Sequence, residues 1–194
     1  SLNVIDAAHR CGVERTLLVS TDKAVEPINL YGATKMCAER AFIQADQLRG
    51  RLPWRFACTR YGNVAGTSGS VVPLFLALRP GEPTPVTDPL STRFWITLED
   101  ANKFVLDTML KEDFGGVVHI PRIKSVRIMD IVQAIRPTEP VKIIGLRPGD
   151  KLHEVLNIDG ERYSSDRNEF LTVAEIREQA FGSRAAGRGE AYRL

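Results

Sequence analysis

Tyr31 and Lys35 stand four residues apart in a stretch that reads as a helix from about Leu30 to Gln47, so both side chains lie on one helix face. A free tyrosine, with a pKa of about 10, is a poor base at neutral pH, and an ammonium group one turn away favours its phenolate. A tyrosine tuned in this way can take a hydroxyl proton while hydride leaves the same carbon. Ten residues before Tyr31 come Thr21, Asp22 and Lys23, a hydroxyl, an acid and an amine in succession. They follow the short apolar run Thr16 to Val19, which suits a buried parallel strand, and the C-terminal end of a strand is where α/β sheets hold their ligands. A Tyr-x-x-x-Lys pair alone arises by chance on many surface helices; its place after a strand ending in Ser20 and Thr21 gives it weight.

The elements that must position these groups follow the same logic. Leu2 to Cys11 reads as an amphipathic helix stopped by Gly12, and Phe56 to Tyr61 as a second strand after the long helix and its breakers Gly50 and Pro53. Strand, crossover helix and strand recur, the pattern of a doubly wound parallel sheet. After Gly62 the regularity is lost. A short helix over Ser70 to Leu78 leads into the Pro/Gly-rich segment Pro80 to Pro85; a capping-box-like start at Thr97 opens a helix to about Lys111. Val117 to Ile120 and Val141 to Ile144 are strand candidates, and Ile128 to Ile135 is a helix. Residues 1–68 are expected to carry the Rossmann-like part with the catalytic helix, and 69–160 mainly a smaller mixed α/β substrate lobe with some segments returning to the first. Residues 161–194 would be a tail, frayed from about Ser183.

Composition narrows the class. The 194 residues are 43% hydrophobic and 26% charged, with a net charge of +2, which makes no case for nucleic acid or a membrane surface. No apolar run is long enough to cross a bilayer. Cys11, Cys37 and Cys58 are scattered, without metal-binding or redox spacing, as in a reducing cytoplasm, and no metal is expected.

Four segments together carry a resemblance: Ser20 to Lys35 (STDKAVEPINLYGATK), Arg60 to Val64 (RYGNV), Thr92 to Thr97 (TRFWIT) and Gly145 to Glu154 (GLRPGDKLHE). The chain resembles the extended short-chain dehydrogenases/reductases, and within them the inverting UDP-N-acetylglucosamine 4,6-dehydratases of polysaccharide and pseudaminic acid biosynthesis. The resemblance implies that Tyr31 takes the proton of the sugar C4 hydroxyl as a nicotinamide cofactor accepts the C4 hydride. Lys35 would bind the nicotinamide ribose, and Thr21 would hydrogen-bond the C4 oxygen. Lys23 is the implied base at C5, and Asp22 the acid that protonates the leaving C6 hydroxyl. Ser20, Tyr31, Lys35, Tyr61, Gly62, Asn63 and Val64 would line the cofactor, NADP with NAD as the alternative. Lys23, Asn63, Ser70, Val71, Arg93, Arg147 and Glu154 would hold UDP-N-acetylglucosamine; the arginine fork suits its diphosphate, and for Glu154 a structural salt bridge is an equal reading. A homo-oligomer is also implied.

Relatives that retain the C5 configuration and are membrane-anchored carry methionine where this chain has Tyr31. Asp150 departs mildly, since relatives more often have glutamate there. Two other readings stay open: a UDP-sugar 4-epimerase of the same fold, against which Asp22 and Lys23 argue because an epimerase needs no elimination machinery, and a non-catalytic nucleotide-sugar-binding remnant. The chain opens at Ser1 inside a helix, and the glycine-rich phosphate loop and ribose-reading residue of the family are not in it. They are expected to lie before residue 1, in about 100 further residues or more. Residues 1–194 alone are accordingly expected to be aggregation-prone or only partly folded, to be inactive, and not to retain NADP.

Overall fold

A computed structural model describes residues 1–67, 69–157 and 160–186, with side chains up to residue 181. The expected fraying after Ser183 lies largely outside the described residues; the last helix continues to Ala186.

The chain divides into two compact units, each discontinuous in sequence. The first comprises Ser1–Gly62, Glu99–Arg122 and Val155–Ser164. It begins with α1 (Leu2–Arg10), which ends where Gly12 takes a φ of 65°, a left-handed turn that side chains with a Cβ resist. Then follow β1 (Arg15–Thr21), a single 3-10 turn (Asp22–Ala24), α2 (Leu30–Leu48) and β2 (Arg55–Tyr61). β1 and β2 pair in parallel over their full lengths, from Arg15 opposite Arg55 to Thr21 opposite Tyr61. β2 also pairs in parallel with β6 (Val118–His119), so the strand order is β1-β2-β6. This is the parallel sheet that the strand–helix–strand recurrence predicts. α2 packs on it through Phe42, whose ring meets Phe56 edge-on at 5.9 Å, within a core that includes Ala8 and Cys58.

The second unit comprises Asn63–Leu98, Ile123–Glu154 and the chain from Ser165 onward. It holds β3 (Asn63–Val64), α3 (Val71–Ala77), β4 (Thr84–Val86), β5 (Thr92–Ile96), β7 (Ser125–Arg127), α5 (Ile128–Ile135), β8 (Val141–Ile143) and α6 (Val173–Ala186). α4 (Leu98–Leu110) leads from it back to the first unit. β3 runs parallel to β5 and β7 antiparallel to it, while β4 pairs with β8. Phe75, Val86, Trp95, Val126, Ile131, Leu171, Ile176 and Ala180 form its core.

Four short strands, β3, β4, β5 and β7, and the helix α6 were not expected from the sequence. β4 lies inside the proline-rich segment, where Pro85 tolerates an edge pairing. Within residues 161–194, expected as a tail, Leu171, Ile176 and Ala180 join the core of the second unit. A readable signal preceded α6: Thr172 and Glu175 form a capping box, the Thr172 N–H donating to Glu175 Oε2 at 2.7 Å and the Glu175 N–H to Thr172 Oγ1 at 3.2 Å.

Candidate active site

In the first unit, the site is built where β1 ends and α2 begins. Thr21 closes β1 and caps the 3-10 turn, its Oγ1 accepting from the Lys23 N–H. The turn drops the Asp22 side chain inward, fully buried, and leaves the Lys23 side chain about a third exposed. Two donors converge on one carboxylate oxygen: Thr21 Oγ1 donates to Asp22 Oδ1 at 2.9 Å and Lys23 Nζ donates to the same atom at 3.1 Å. The other oxygen, Oδ2, is buried with no hydrogen-bond partner among the described residues. Burying a carboxylate oxygen without a donor is costly, and such atoms concentrate where a ligand or a proton is to be met.

Asn29 starts α2 by accepting the Gly32 N–H at 2.8 Å. Tyr31 stands on the first turn, 52% exposed, with Lys35 Nζ 5.9 Å from its ring centroid, so the expected pair does share a face and that face is open. Gly32, between them, is buried under the turn that carries Asp22 and Lys23. Ser20, one residue before Thr21 on β1, is buried with an unpartnered Oγ. Tyr61 lies across the strand from Thr21, its ring edge-on to Phe104 at 6.5 Å, and burial raises the pKa of its phenol. Thr21, Asp22, Lys23, Tyr31 and Lys35, with Ser20 and Tyr61, thus come from two adjacent strand ends and one helix start in a single unit.

One further turn along α2 from Lys35, Glu39 is buried and held by both arms of Arg60, Nε to Oε1 at 3.0 Å and Nη2 to Oε2 at 2.5 Å; Arg60 Nη1 also donates to the Leu156 carbonyl at 2.8 Å. This fork ties the Tyr31–Lys35–Glu39 face to β2. The spacing of Glu39 from Lys35 was its signal in the sequence.

Gly62 closes the first stretch of the first unit, directly after β2, and the remaining predicted residues lie in the second unit. Asn63 and Val64 form β3, opposite Trp95 and Ile96. Ser70 precedes α3 as its N-cap residue without a side-chain cap bond, and Val71 opens the helix. Asn63 Oδ1 and Ser70 Oγ are both buried without a hydrogen-bond partner among the described residues. Arg93 is committed to its own scaffold: Nη1 donates to the carbonyls of Thr92 at 2.7 Å and Leu152 at 3.0 Å, Nη2 to that of Lys151 at 2.9 Å, and Nε lies 4.0 Å from Glu154 Oε1. Glu154 is buried beside it, with Lys151 Nζ 3.9 Å away. Ser165, missed from the sequence, locks this segment by accepting the Glu154 N–H at 2.9 Å and meeting Thr92 Oγ1 at 2.7 Å; His153 Nδ1 meets the same Thr92 hydroxyl at 2.8 Å. Arg147 is exposed, and its guanidinium makes no hydrogen bond or ion pair among the described residues. Among the described residues there is no helix long and apolar enough to cross a membrane and no His/Cys/Asp/Glu cluster that could hold a metal ion.

Residues 1–175 match the family described as polysaccharide biosynthesis protein. The chain belongs to that family. Within it, the chain is 47% identical over 156 residues to the UDP-N-acetylglucosamine 4,6-dehydratase (inverting) of Campylobacter jejuni, an alignment covering 79% of this chain and 46% of the relative. The chain spans about half the length of the curated relatives it matches. Among solved structures, the chain is similar to Pen from Bacillus thuringiensis, with a TM-score of 0.85 at 27% identity over 94% of this chain and 66% of that one. The UDP-glucose 4-epimerase of Thermus thermophilus, solved with NAD, shares the fold at a TM-score of 0.70 and 20% identity, covering 95% of this chain and 68% of its own. The α/β, short-chain-dehydrogenase architecture expected from the four segments is therefore the one present.

Proposed function

We propose that this chain carries the catalytic residues of a nucleotide-sugar 4,6-dehydratase that inverts C5 of UDP-N-acetylglucosamine. The observation that supports this reading above the others is the turn Thr21-Asp22-Lys23 packed against the helix that bears Tyr31 and Lys35, in a chain 47% identical to an inverting dehydratase. A 4-epimerase needs only the tyrosine and lysine. A buried acid with one oxygen held and the other unpartnered, beside an amine, suits an elimination.

The residues present fit the nicotinamide end of a dinucleotide, since an exposed Tyr31 and Lys35 share one face at the start of α2 and Ser20, at the end of β1, has an unpartnered buried hydroxyl. A nicotinamide cofactor bound there supplies the acceptor for hydride from C4 and its donor to C6; NADP is the proposed form, and the Thermus epimerase of the same fold is complexed with NAD. Tyr31 takes the C4 hydroxyl proton, and Lys35 holds the ribose. Lys23 takes the C5 proton, whose bonding pair becomes the C5–C6 double bond as the C6–oxygen bond breaks. Asp22 gives its proton to the departing hydroxyl, which leaves as water; once hydride has been added at C6, a solvent-exchanged proton delivered to the opposite face of C5 completes the 4-keto-6-deoxy product. With two donors on Oδ1 of Asp22, Oδ2 is the oxygen left to serve the transfer to the leaving group. Thr21, whose hydroxyl points to Asp22, positions that acid as well as lying near the C4 oxygen.

Asn63, Ser70, Val71 and Arg147 are the proposed contacts to the nucleotide sugar, supported by the unpartnered Asn63 and Ser70 oxygens and the unengaged Arg147 fork. Arg93 and Glu154 shape the same segment. A homo-oligomer is supported by the apolar face of α2, where Leu30 is 80% exposed beside a groove of about 570 Å³ lined by Leu2, Ala33, Cys37, Ala38 and Ala41. The test is a mass spectrum of the products after the protein, expressed from its complete reading frame, is incubated with UDP-N-acetylglucosamine. Loss of one water is the expected outcome; a product isobaric with substrate favours the epimerase, and no product favours the remnant.

A further inference from the structure

The site has two working halves on different elements. Tyr31 and Lys35 ride on α2, whereas Asp22 and Lys23 ride on the 3-10 turn after β1. Something must set the distance between them, and the residue at the contact is Gly32. Its backbone has no left-handed φ, so the chain conformation itself does not call for glycine. The space does: a Cβ on Gly32 would stand 2.3 Å from the Lys23 carbonyl oxygen and 3.1 Å from Pro27 Cβ. The first of these is backbone, which cannot swing aside as a side-chain end can.

We propose that Gly32 is a positioning residue that sets the register between the oxidising pair, Tyr31 and Lys35, and the eliminating pair, Asp22 and Lys23. This rests on the dehydratase reading above. Relief of a 2.3 Å approach to an ordinary contact of 3.4 Å needs a displacement of about 1 Å. The helix is the less able to move, because the Asn29 cap, the buried Glu39–Arg60 fork and Phe42 pin it along its length. The turn is the part that yields: Lys23 is partly exposed, and Glu26, within the loop that joins the turn to α2, is exposed with a positive φ of 45° and held, among the described residues, only by a solvent-exposed ion pair with Arg162. A methyl group at position 32 therefore pushes the backbone of Lys23 away from α2. Tyr31 and Lys35 stay together on their face, so proton removal at C4 survives. Asp22 and Lys23 lose their alignment with C5 and C6, so elimination does not follow, and the C4 ketone can only be reduced back.

The decisive experiment compares the unmodified protein, Gly32→Ala and Gly115→Ala, all in the complete reading frame. Gly115 is equally crowded at the far end of α2, where a Cβ would meet Arg55 Nε at 2.3 Å and Asp46 Oδ1 at 2.4 Å, so it reports general damage to the same unit. Two rates are read with UDP-N-acetylglucosamine in deuterated water: the first-turnover rise in nicotinamide absorbance, and solvent deuterium appearing at C5. Gly32→Ala is expected to keep the first rate within about threefold and to slow the second by roughly a hundredfold, the scale of a 1 Å misplacement. Gly115→Ala is expected to leave their ratio unchanged. Equal loss of both rates in Gly32→Ala, an unchanged ratio, or a variant that no longer unfolds cooperatively each overturns the proposal. An unmodified protein that never places deuterium at C5 overturns instead the dehydratase reading on which it rests.

Discussion

Two buried aspartates lie at opposite ends of the β1–α2–β2 unit and are held in opposite ways. Asp46, in the last turn of α2, accepts from Arg55 Nε and the Phe56 N–H on Oδ1, both at 2.9 Å, with Arg55 Nη2 3.5 Å from Oδ2 and Arg49 Nε 3.8 Å from Oδ1. Both oxygens have a donor, and the group fastens the end of the helix to the start of β2. Asp22, at the other end, takes both its donors on Oδ1 and has none on Oδ2. A saturated carboxylate is a fastening; one with a desolvated, undonated oxygen is a place to hold a proton. The chain pairs the second arrangement with the C-terminal strand ends, where a parallel sheet receives its ligands, and the first with the opposite edge.

That contrast can be broken at either end. Asp22→Asn in the complete protein should lower dehydration by on the order of a thousandfold, because it removes the acid, while the melting temperature hardly moves. Turnover within about tenfold of the parent would make Asp22 a fastening like Asp46. Asp46→Ala should do the reverse. It strands the Phe56 N–H and the Arg55 guanidinium and should cost about 3 kcal/mol in a denaturant titration, with the folded fraction still turning over normally.

The second unit offers a milder version in its two arginines. Arg93 is bound by three backbone carbonyls and lies near Glu154, whereas the Arg147 side chain makes no hydrogen bond or ion pair among the described residues. Arg147→Ala should therefore weaken UDP binding by about 2 kcal/mol without loss of stability, and Arg93→Ala should lower stability first. Calorimetry that finds UDP binding untouched by Arg147→Ala removes that residue from the diphosphate site.

The smallest effect concerns Cys58, beside the Glu39 fork. Burial, with Glu39 adding to it, pushes its thiol up to about 12 from an ordinary 9.0. The folded chain thus holds this proton more tightly than the unfolded one. The resulting stability is full below pH 9 and is lost as pH rises towards 12. Alkylation at pH 8.5 should modify exposed Cys11 and spare Cys58. Rapid labelling of Cys58 would mean that the Glu39–Arg60 face of α2 opens readily.

What the sequence showed, and what it did not, follows the same division. α1, β1, α2 and β2 were legible because apolar runs, a 3.6-residue period and glycine stops agree with one another there. β3, β4 and β7 were not, since strands of two or three residues carry no period. α6 was obscured by an arginine-rich end, although Thr172 and Glu175 announced it. The residue types of the site were legible as well, from Thr21 to Lys35. Their fastenings were not: Gly32 against the Lys23 carbonyl, Glu39 on Arg60 and Ser165 on Glu154 are contacts between segments that are distant along the chain or joined by a turn.

In the proposed mechanism, Asp22 and Lys23 eliminate water after Tyr31 and Lys35 have opened the way at C4. The most direct test is the fate of C5 when the complete protein turns over UDP-N-acetylglucosamine in deuterated water, followed by proton NMR of the product. The expected product is a 4-keto-6-deoxy sugar with solvent deuterium at C5 and the C5 configuration inverted, with no such deuterium for Lys23→Ala. Retained configuration at C5, or full incorporation by Lys23→Ala, would contradict that mechanism.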